Sequence, residues 1–211
     1  MQTVKILESF VSLQGESTYA GLTCFFIRLA GCNLHCRYCD TPNVYSVGTE
    51  VLIAHLVEQY ARSGAAMAEI TGGEPLLQEG FPALATGLRD RGGRPVLVET
   101  NGSCDISVIP DRIIAVMDIK CPGSGAQEAM DFANLARLRP YDEVKFVLAS
   151  RDDFQWACAI VRRYALDAAC RAVLFSPAAG TLDAKMLGQW ILEAQLPVRL
   201  QIQLHKLLGL R

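Results

Sequence analysis

The chain has 211 residues, 22 acidic against 20 basic, for a net charge of −2, and no run of Lys or Arg, so it carries no electrostatic footprint for a phosphate backbone. Hydrophobic residues make up 51% and charged residues 20%, which excludes a disordered chain; the length suits one domain, 1–211, short of the roughly 250 residues of a full eight-fold barrel. The opening MQTVKILESF has no basic leader followed by an apolar stretch, and no segment is apolar for about eighteen residues, so the expectation is a cytoplasmic protein with no membrane span.

Apolar runs bounded by turn residues recur along the chain and read as strands at 4–10, 24–29, 68–71, 95–100, 113–118, 143–148, 172–176 and 198–203. Stretches with helical spacing lie between them, at 51–63, 76–91, 129–139, 152–164 and 183–195. Ser150 followed by Asp153 predicts a capping box at the fourth helix. Strands alternating with helices imply parallel pairing and hence an α/β layer or barrel. The segments TGGEP, ETNG, DIKCPGSG, FSPAAG and QLHK each follow a predicted strand, so one rim collects the polar residues, where parallel α/β folds build their active sites.

The loop GCNLHCRYCD follows the strand CFFIRL and opens onto that same rim. Its Cys32, Cys36 and Cys39, spaced C-x3-C-x2-C, supply three thiolates, whereas a cluster that only carries electrons is normally held by four. Three thiolates leave one iron of a 4Fe-4S cluster open to a small molecule. A zinc knuckle completed by His35 or a distant residue is the competing reading, weakened because no second C-x2-C or H-x3-H pair exists. A disulfide does not suit the expected reducing compartment, and Cys24, Cys104, Cys121, Cys158 and Cys170 share no spacing.

Gly72 and Gly73 allow a backbone edge to approach a ligand, and the Glu74 carboxylate after them suits an ammonium group. Arg28, in a strand apolar on both faces, needs either a ligand carboxylate or an acidic neighbour. Lys145, and Asp118 with Lys120, pose the same choice. In PVRLQIQLHK, strict alternation predicts a strand with Arg199, Gln201, Gln203 and His205 on one face and His205 at its rim end. His55 falls in a helical segment, and His35 reads as a spacer.

The cysteine triad with GGEP, and Tyr38 before the last cysteine, resembles the radical S-adenosylmethionine superfamily. SLQGES, FIRLAGCNLHCRYCDT, VETNG, DIKCPGSG and the terminal QLHKLLGLR together resemble the 7-carboxy-7-deazaguanine synthase family. That resemblance implies a trimmed, partial (β/α) barrel with mostly parallel strands. It also implies conversion of 6-carboxy-5,6,7,8-tetrahydropterin to 7-carboxy-7-deazaguanine with loss of ammonia, toward queuosine and tRNA modification. By the same carry-over Cys32, Cys36 and Cys39 hold the 4Fe-4S cluster, and Tyr38, Gly73, Glu74, Ser124 and Ser176 bind S-adenosylmethionine. Leu13, Gln14, Gly15, Glu16, Arg28, Thr71, His205 and the carboxylate of Arg211 bind the pterin, and Thr41 is the protein ligand of Mg2+. The family also implies a flavodoxin or ferredoxin-type electron donor and a homodimer. A glycyl-radical activase, which shares the cysteine motif and a DxK element, is the nearest rival; a non-catalytic zinc or iron-sulfur module is the more distant one.

Overall fold

The structure, a computed structural model, describes residues 2–210. Among the described residues nine strands form one sheet in the order β3-β1-β2-β4-β5-β6-β7-β8-β9. They are β1 (Thr3–Leu13), β2 (Thr23–Leu29), β3 (Thr49–Leu52), β4 (Met67–Gly72), β5 (Val96–Thr100), β6 (Ile114–Lys120), β7 (Glu143–Leu148), β8 (Ala172–Pro177) and β9 (Arg199–Leu200). From β2 to β9 every pairing is parallel, while β1 runs antiparallel to both β2 and β3. The sheet does not close on itself, so the fold is the partial barrel that the alternation and the family resemblance imply.

Strand side chains alternate between two environments. Phe25, Ile27, Ile70, Val98, Phe146 and Phe175 point outward into the main core, which α1 (Ile53–Ser63), α2 (Phe81–Gly92), α3 (Arg151–Tyr164), the short α4 (Leu166–Ala169) and α5 (Ala184–Ala194) cover. The opposite face is layered. Cys24, Phe26, Met67, Leu97, Ile114 and Val116 make a small apolar floor. Two positions further along β2, β5 and β6 stand Arg28, Glu99 and Asp118, with Arg28 level with Thr71 on β4, so the period of two sets a polar tier on that floor; Glu69, level with Phe26 and Leu97, lies at the floor itself.

Ser150 caps α3 by accepting from the Asp153 N–H at 3.2 Å. The Asp153 carboxylate does not return to Ser150 as a reciprocal box would; it accepts from the N–H groups of Gly123 and Ala149, at 2.8 and 3.0 Å. α3 is thereby tied to the loop after β6. The predicted helix over 129–139 is instead two 3-10 turns, Gln127–Ala129 and Phe132–Arg137. Asn134 explains the change, because its buried amide donates to the carbonyls of Gly102 and Cys104 and accepts from the Ile106 N–H, bonds that compete with a helical ladder. The predicted helix over 76–91 likewise opens as a 3-10 turn, Pro75–Leu77, before α2.

The predicted strand over 198–203 pairs only at Arg199 and Leu200. Beyond them the Gln201 side chain turns inward, and the chain enters the short helix α6 (Leu204–Leu208), which carries His205 on its first turn rather than at a strand end. Arg211, whose carboxylate the family resemblance directs at the substrate, lies outside the described residues. Among the described residues no helix is long and apolar enough to cross a membrane.

Candidate active site

The polar tier opens into a cavity of about 510 Å³ at the C-terminal ends of the parallel strands. All three thiols of the cysteine loop, Cys32, Cys36 and Cys39, line it, together with Tyr38 and Thr41 from the same loop. Leu13 enters from the end of β1, Gln14, Gly15 and Glu16 from the turn after it, Arg28 from β2, Thr71 from β4 and Gly73 from the turn after it, Ser176 from β8 and His205 from α6.

Backbone bonds to the neighbouring strand ends set the position of the cysteine loop. Gly73 N–H donates to Leu29 O at 3.2 Å and Glu74 N–H to Gly31 O at 2.9 Å, so the GGEP turn is stitched to the segment leading into Cys32. A Cβ on Gly73 would lie 1.9 Å from Gly31 O, and one on Gly72, at φ +124°, would lie 2.2 Å from Leu29 O. Both glycines are therefore fixed by backbone packing before any ligand arrives. Further along, Arg37 N–H donates to Ser124 O at 2.9 Å and the Tyr38 hydroxyl to Val147 O at 3.0 Å, anchoring the loop to the segments after β6 and on β7. The Asn101 amide donates toward Cys32 Sγ at 3.9 Å and to Asn33 Oδ1 at 3.1 Å. Burial pushes the Cys36 thiol up, a shift that the nearby Lys120 ammonium opposes.

Two residues assigned to the cofactor by resemblance face elsewhere. Glu74 is fully buried at the start of the Pro75–Leu77 turn. Its oxygens accept from Leu76 N–H at 3.0 Å, from the Thr100 hydroxyl at 2.9 Å and from Asn101 N–H at 2.6 Å. Burial raises its pKa, against those bonds. The carboxylate thus braces the loops after β4 and β5 from inside, and it does not line the cavity. Ser124 is also fully buried, its hydroxyl donating to Cys121 O at 2.6 Å and accepting from Ala126 N–H at 3.0 Å.

Lys145 is the electrostatic centre of the cavity. Its ammonium meets Glu16 at 2.8 Å, contacts Glu99, and lies 3.8 Å from Asp118, which pairs with Lys120 at 2.8 Å. Burial works to lower the Lys145 pKa, but Glu16, Glu99 and Asp118 outweigh it and hold the ammonium well above its usual range. Glu16 is the reverse case: burial would raise it, and Lys145 and the Gln203 amide bring it below the ordinary carboxylate value. Thr71 donates to Glu99 at 3.0 Å. Among the described residues Asp118 Oδ1 is buried with no hydrogen-bond partner.

Arg28 combines the two alternatives open in the sequence. Its Nε pairs with Glu8 at 3.1 Å and one terminal nitrogen reaches the Thr41 hydroxyl at 3.4 Å, while the guanidinium still lines the cavity. Thr41 also donates to Asp40 at 3.2 Å. Burial would raise Asp40, but the Lys206 ammonium at 3.1 Å and the Gln203 amide outweigh it and hold that carboxyl far below its usual range.

The open side of the barrel is spanned by side chains. Gln201 and Gln203 donate to Glu16 at 3.0 and 2.7 Å, and Leu204 N–H donates to Gly15 O at 2.9 Å. Gly15 has no room for a side chain, since a Cβ would sit 2.0 Å from His205 Nδ1. Glu69 and Glu99 are cavity residues absent from the sequence reading. The signal that exposed Arg28, a charge inside an apolar strand, was equally present in MAEIT and VLVET.

The donor set fits an iron-sulfur cluster: three thiols on one loop face one cavity, with an amide N–H directed at one sulfur. Among the described residues no three His, Cys, Asp or Glu side chains gather closely enough to enclose a single metal ion.

The family model described as the radical SAM superfamily matches residues 26–119. The chain is 42% identical to the 7-carboxy-7-deazaguanine synthase of Chlorobaculum tepidum over 207 residues, covering 96% of this chain and 93% of that protein. It is 39% identical to the Koribacter versatilis protein of the same name, with 96% of both chains covered, and 40% identical to that of Methanospirillum hungatei, with 98% and 86% covered. In fold it is similar to the crystal structure of QueE from Escherichia coli, with a TM-score of 0.78, 21% identity and coverage of 96% and 95%.

Proposed function

Because the chain belongs to the 7-carboxy-7-deazaguanine synthase family of radical S-adenosylmethionine enzymes, we propose that its rim cavity converts 6-carboxy-5,6,7,8-tetrahydropterin to 7-carboxy-7-deazaguanine with release of ammonia, in the pathway to queuosine. The observation that carries this reading is the shared cavity: the three cysteines and a ring of paired charges open onto one space at the strand ends.

Cys32, Cys36 and Cys39 would hold the 4Fe-4S cluster that the family implies. Bound together, cluster and S-adenosylmethionine supply one-electron chemistry able to take a hydrogen from an unactivated carbon. The remaining work belongs to the chain. Asn101 directs an N–H toward Cys32, and Tyr38, tied to Val147, keeps the loop seated over the strand ends. Gly73 offers its backbone and Ser176 its hydroxyl to the cofactor, whereas Glu74 and Ser124 act by fixing the loops around it.

On the pterin side, Arg28 holds the substrate carboxylate with the guanidinium N–H groups that Glu8 leaves over. Gln14, Glu16, Thr71 and His205 present donors and acceptors to the ring, and Leu13 and Gly15 shape the turn that carries them. Glu16, kept ionised by Lys145, is an acceptor at neutral pH. Thr41 would offer its hydroxyl to the magnesium ion that the family implies, an ion that keeps most of its water. The apolar floor beneath this tier closes the strand side of the cavity.

The reductant is a flavodoxin or ferredoxin-type protein, the enzyme is cytoplasmic, and it works as a homodimer, for which the exposed Leu192, Ile202, Leu207 and Leu208 offer apolar surface. Anaerobic turnover of the tetrahydropterin with and without Mg2+ tests the whole reading. The expected result is deazaguanine product that increases with the ion. Cofactor cleavage without any deazaguanine would overturn the proposal in favour of a glycyl-radical activase.

A further inference from the structure

Glu69 lies one step below Thr71 on the inner face of β4, 6% exposed, beside Phe26 and Leu97 of the apolar floor. An acid in that position is costly unless something uses it, because an apolar side chain would satisfy the floor without a polar group to accommodate. The group that uses it is Gln14, whose amide nitrogen donates to Glu69 Oε2. The Gln14 amide oxygen accepts from the Glu16 N–H at 2.9 Å. Turning the amide over would set its NH2 against the Glu16 N–H and break that bond. One amide hydrogen and one lone pair remain, and Gln14 lines the cavity. The backbone of the same residue is held separately, Gln14 N–H donating to Leu22 O and Gly21 N–H to Gln14 O, each at 2.8 Å.

We infer that Glu69 is a positioning residue for the pterin: acting through Gln14, it fixes the direction in which that amide and the following Glu16 present themselves to the substrate. The inference rests on the pterin reading above and adds to it a residue of β4. Burial, together with the like charges of Glu99 and Glu16, pushes the Glu69 carboxyl well above the ordinary range. A neutral acid keeps a carbonyl oxygen free to accept from Gln14 without adding a fourth negative charge to Glu16, Glu99 and Asp118 around Lys145.

The test uses the full-length, anaerobically reconstituted enzyme without reductant, so that binding is read apart from turnover. Dissociation constants for the tetrahydropterin and for S-adenosylmethionine are measured calorimetrically for the wild type, Glu69→Met and Glu69→Gln. Glu69→Met matches the apolar floor but cannot accept from Gln14; it is expected to weaken pterin binding roughly tenfold, as for loss of one buried hydrogen bond, with S-adenosylmethionine affinity unchanged. Glu69→Gln retains a carbonyl acceptor and should restore most of the pterin affinity. In a Gln14→Met background, Glu69→Met should cost nothing further. Wild-type pterin affinity in Glu69→Met, equal losses for both ligands, or a full tenfold loss persisting in the Gln14→Met background would each overturn the inference. Should Glu69→Met fail to fold, Glu69→Gln decides alone: a tenfold loss there counts against a role through Gln14. Absence of pterin binding by the wild type refutes the pterin reading itself, a result distinct from any of these.

Discussion

Replacing Glu74 separates two roles that the GGEP segment could play. The carboxylate accepts from three donors, the Thr100 hydroxyl and Asn101 N–H, both buried, and Leu76 N–H, half-buried. Glu74→Ala leaves all three without a partner. At about 1 kcal/mol for each stranded donor the loss is about 3 kcal/mol, and removing a buried acid refunds part of its desolvation. For a chain of this size that corresponds to a fall of about 6–12 °C in melting temperature. Glu74→Gln keeps one oxygen but points an amide NH2 toward a backbone donor, so roughly half the effect is expected. Anaerobic thermal unfolding by circular dichroism reads both variants, with S-adenosylmethionine binding measured in parallel. A Glu74→Ala protein that melts like the wild type yet no longer binds S-adenosylmethionine would refute the bracing role and return the carboxylate to the ligand.

Gly73→Ala drives a Cβ into Gly31 O, the residue before Cys32, and should lower the iron bound after reconstitution well below about four per chain, read by iron and sulfide assay. Lys145→Met removes the ammonium from among Glu16, Glu99 and Asp118, and should destabilise the fold by about 3–5 kcal/mol in denaturant melts at pH 7. Glu69, raised in the folded state, retains a proton that the unfolded chain releases above about pH 4.3. Wild-type stability therefore falls with rising pH relative to Glu69→Gln, and the gap in denaturant midpoint should be near zero at pH 4 and widen toward pH 7. A constant gap over that range would remove Glu69 as the titrating group.

The parallel strands were legible because each is a short apolar run closed by turn residues, and the rim because polar segments follow those runs at a fixed phase. The cysteine loop was legible from spacing alone. What the pattern could not reveal was competition from side chains. Asn134 sits in a stretch with helical spacing, yet its amide serves three backbone groups distant in sequence and leaves 3-10 turns in place of a helix. Gln201 and Gln203 alternate like a solvated strand face, but both amides are drawn to Glu16, and the ladder stops at Leu200. Glu74 shows the same limit at the site. Its place in the motif points to a ligand, and only the positions of Thr100 and Asn101 reveal which partners it has taken.

The gap in the sheet gives the cavity a wall of unusual construction. Among the described residues the turn after β1 and the C-terminal segment share no strand ladder; they are joined by the amides of Gln201 and Gln203 on the Glu16 carboxylate, by Ser17 N–H on Gln201 Oε1, and by a backbone hydrogen bond from Leu204 to Gly15. Such a seam can part and reseal by exchanging a few polar contacts with water, leaving every parallel strand in register. A bulky bicyclic molecule could thus pass sideways through the barrel wall while the cluster loop, riveted to β4 and β7, stays where it is.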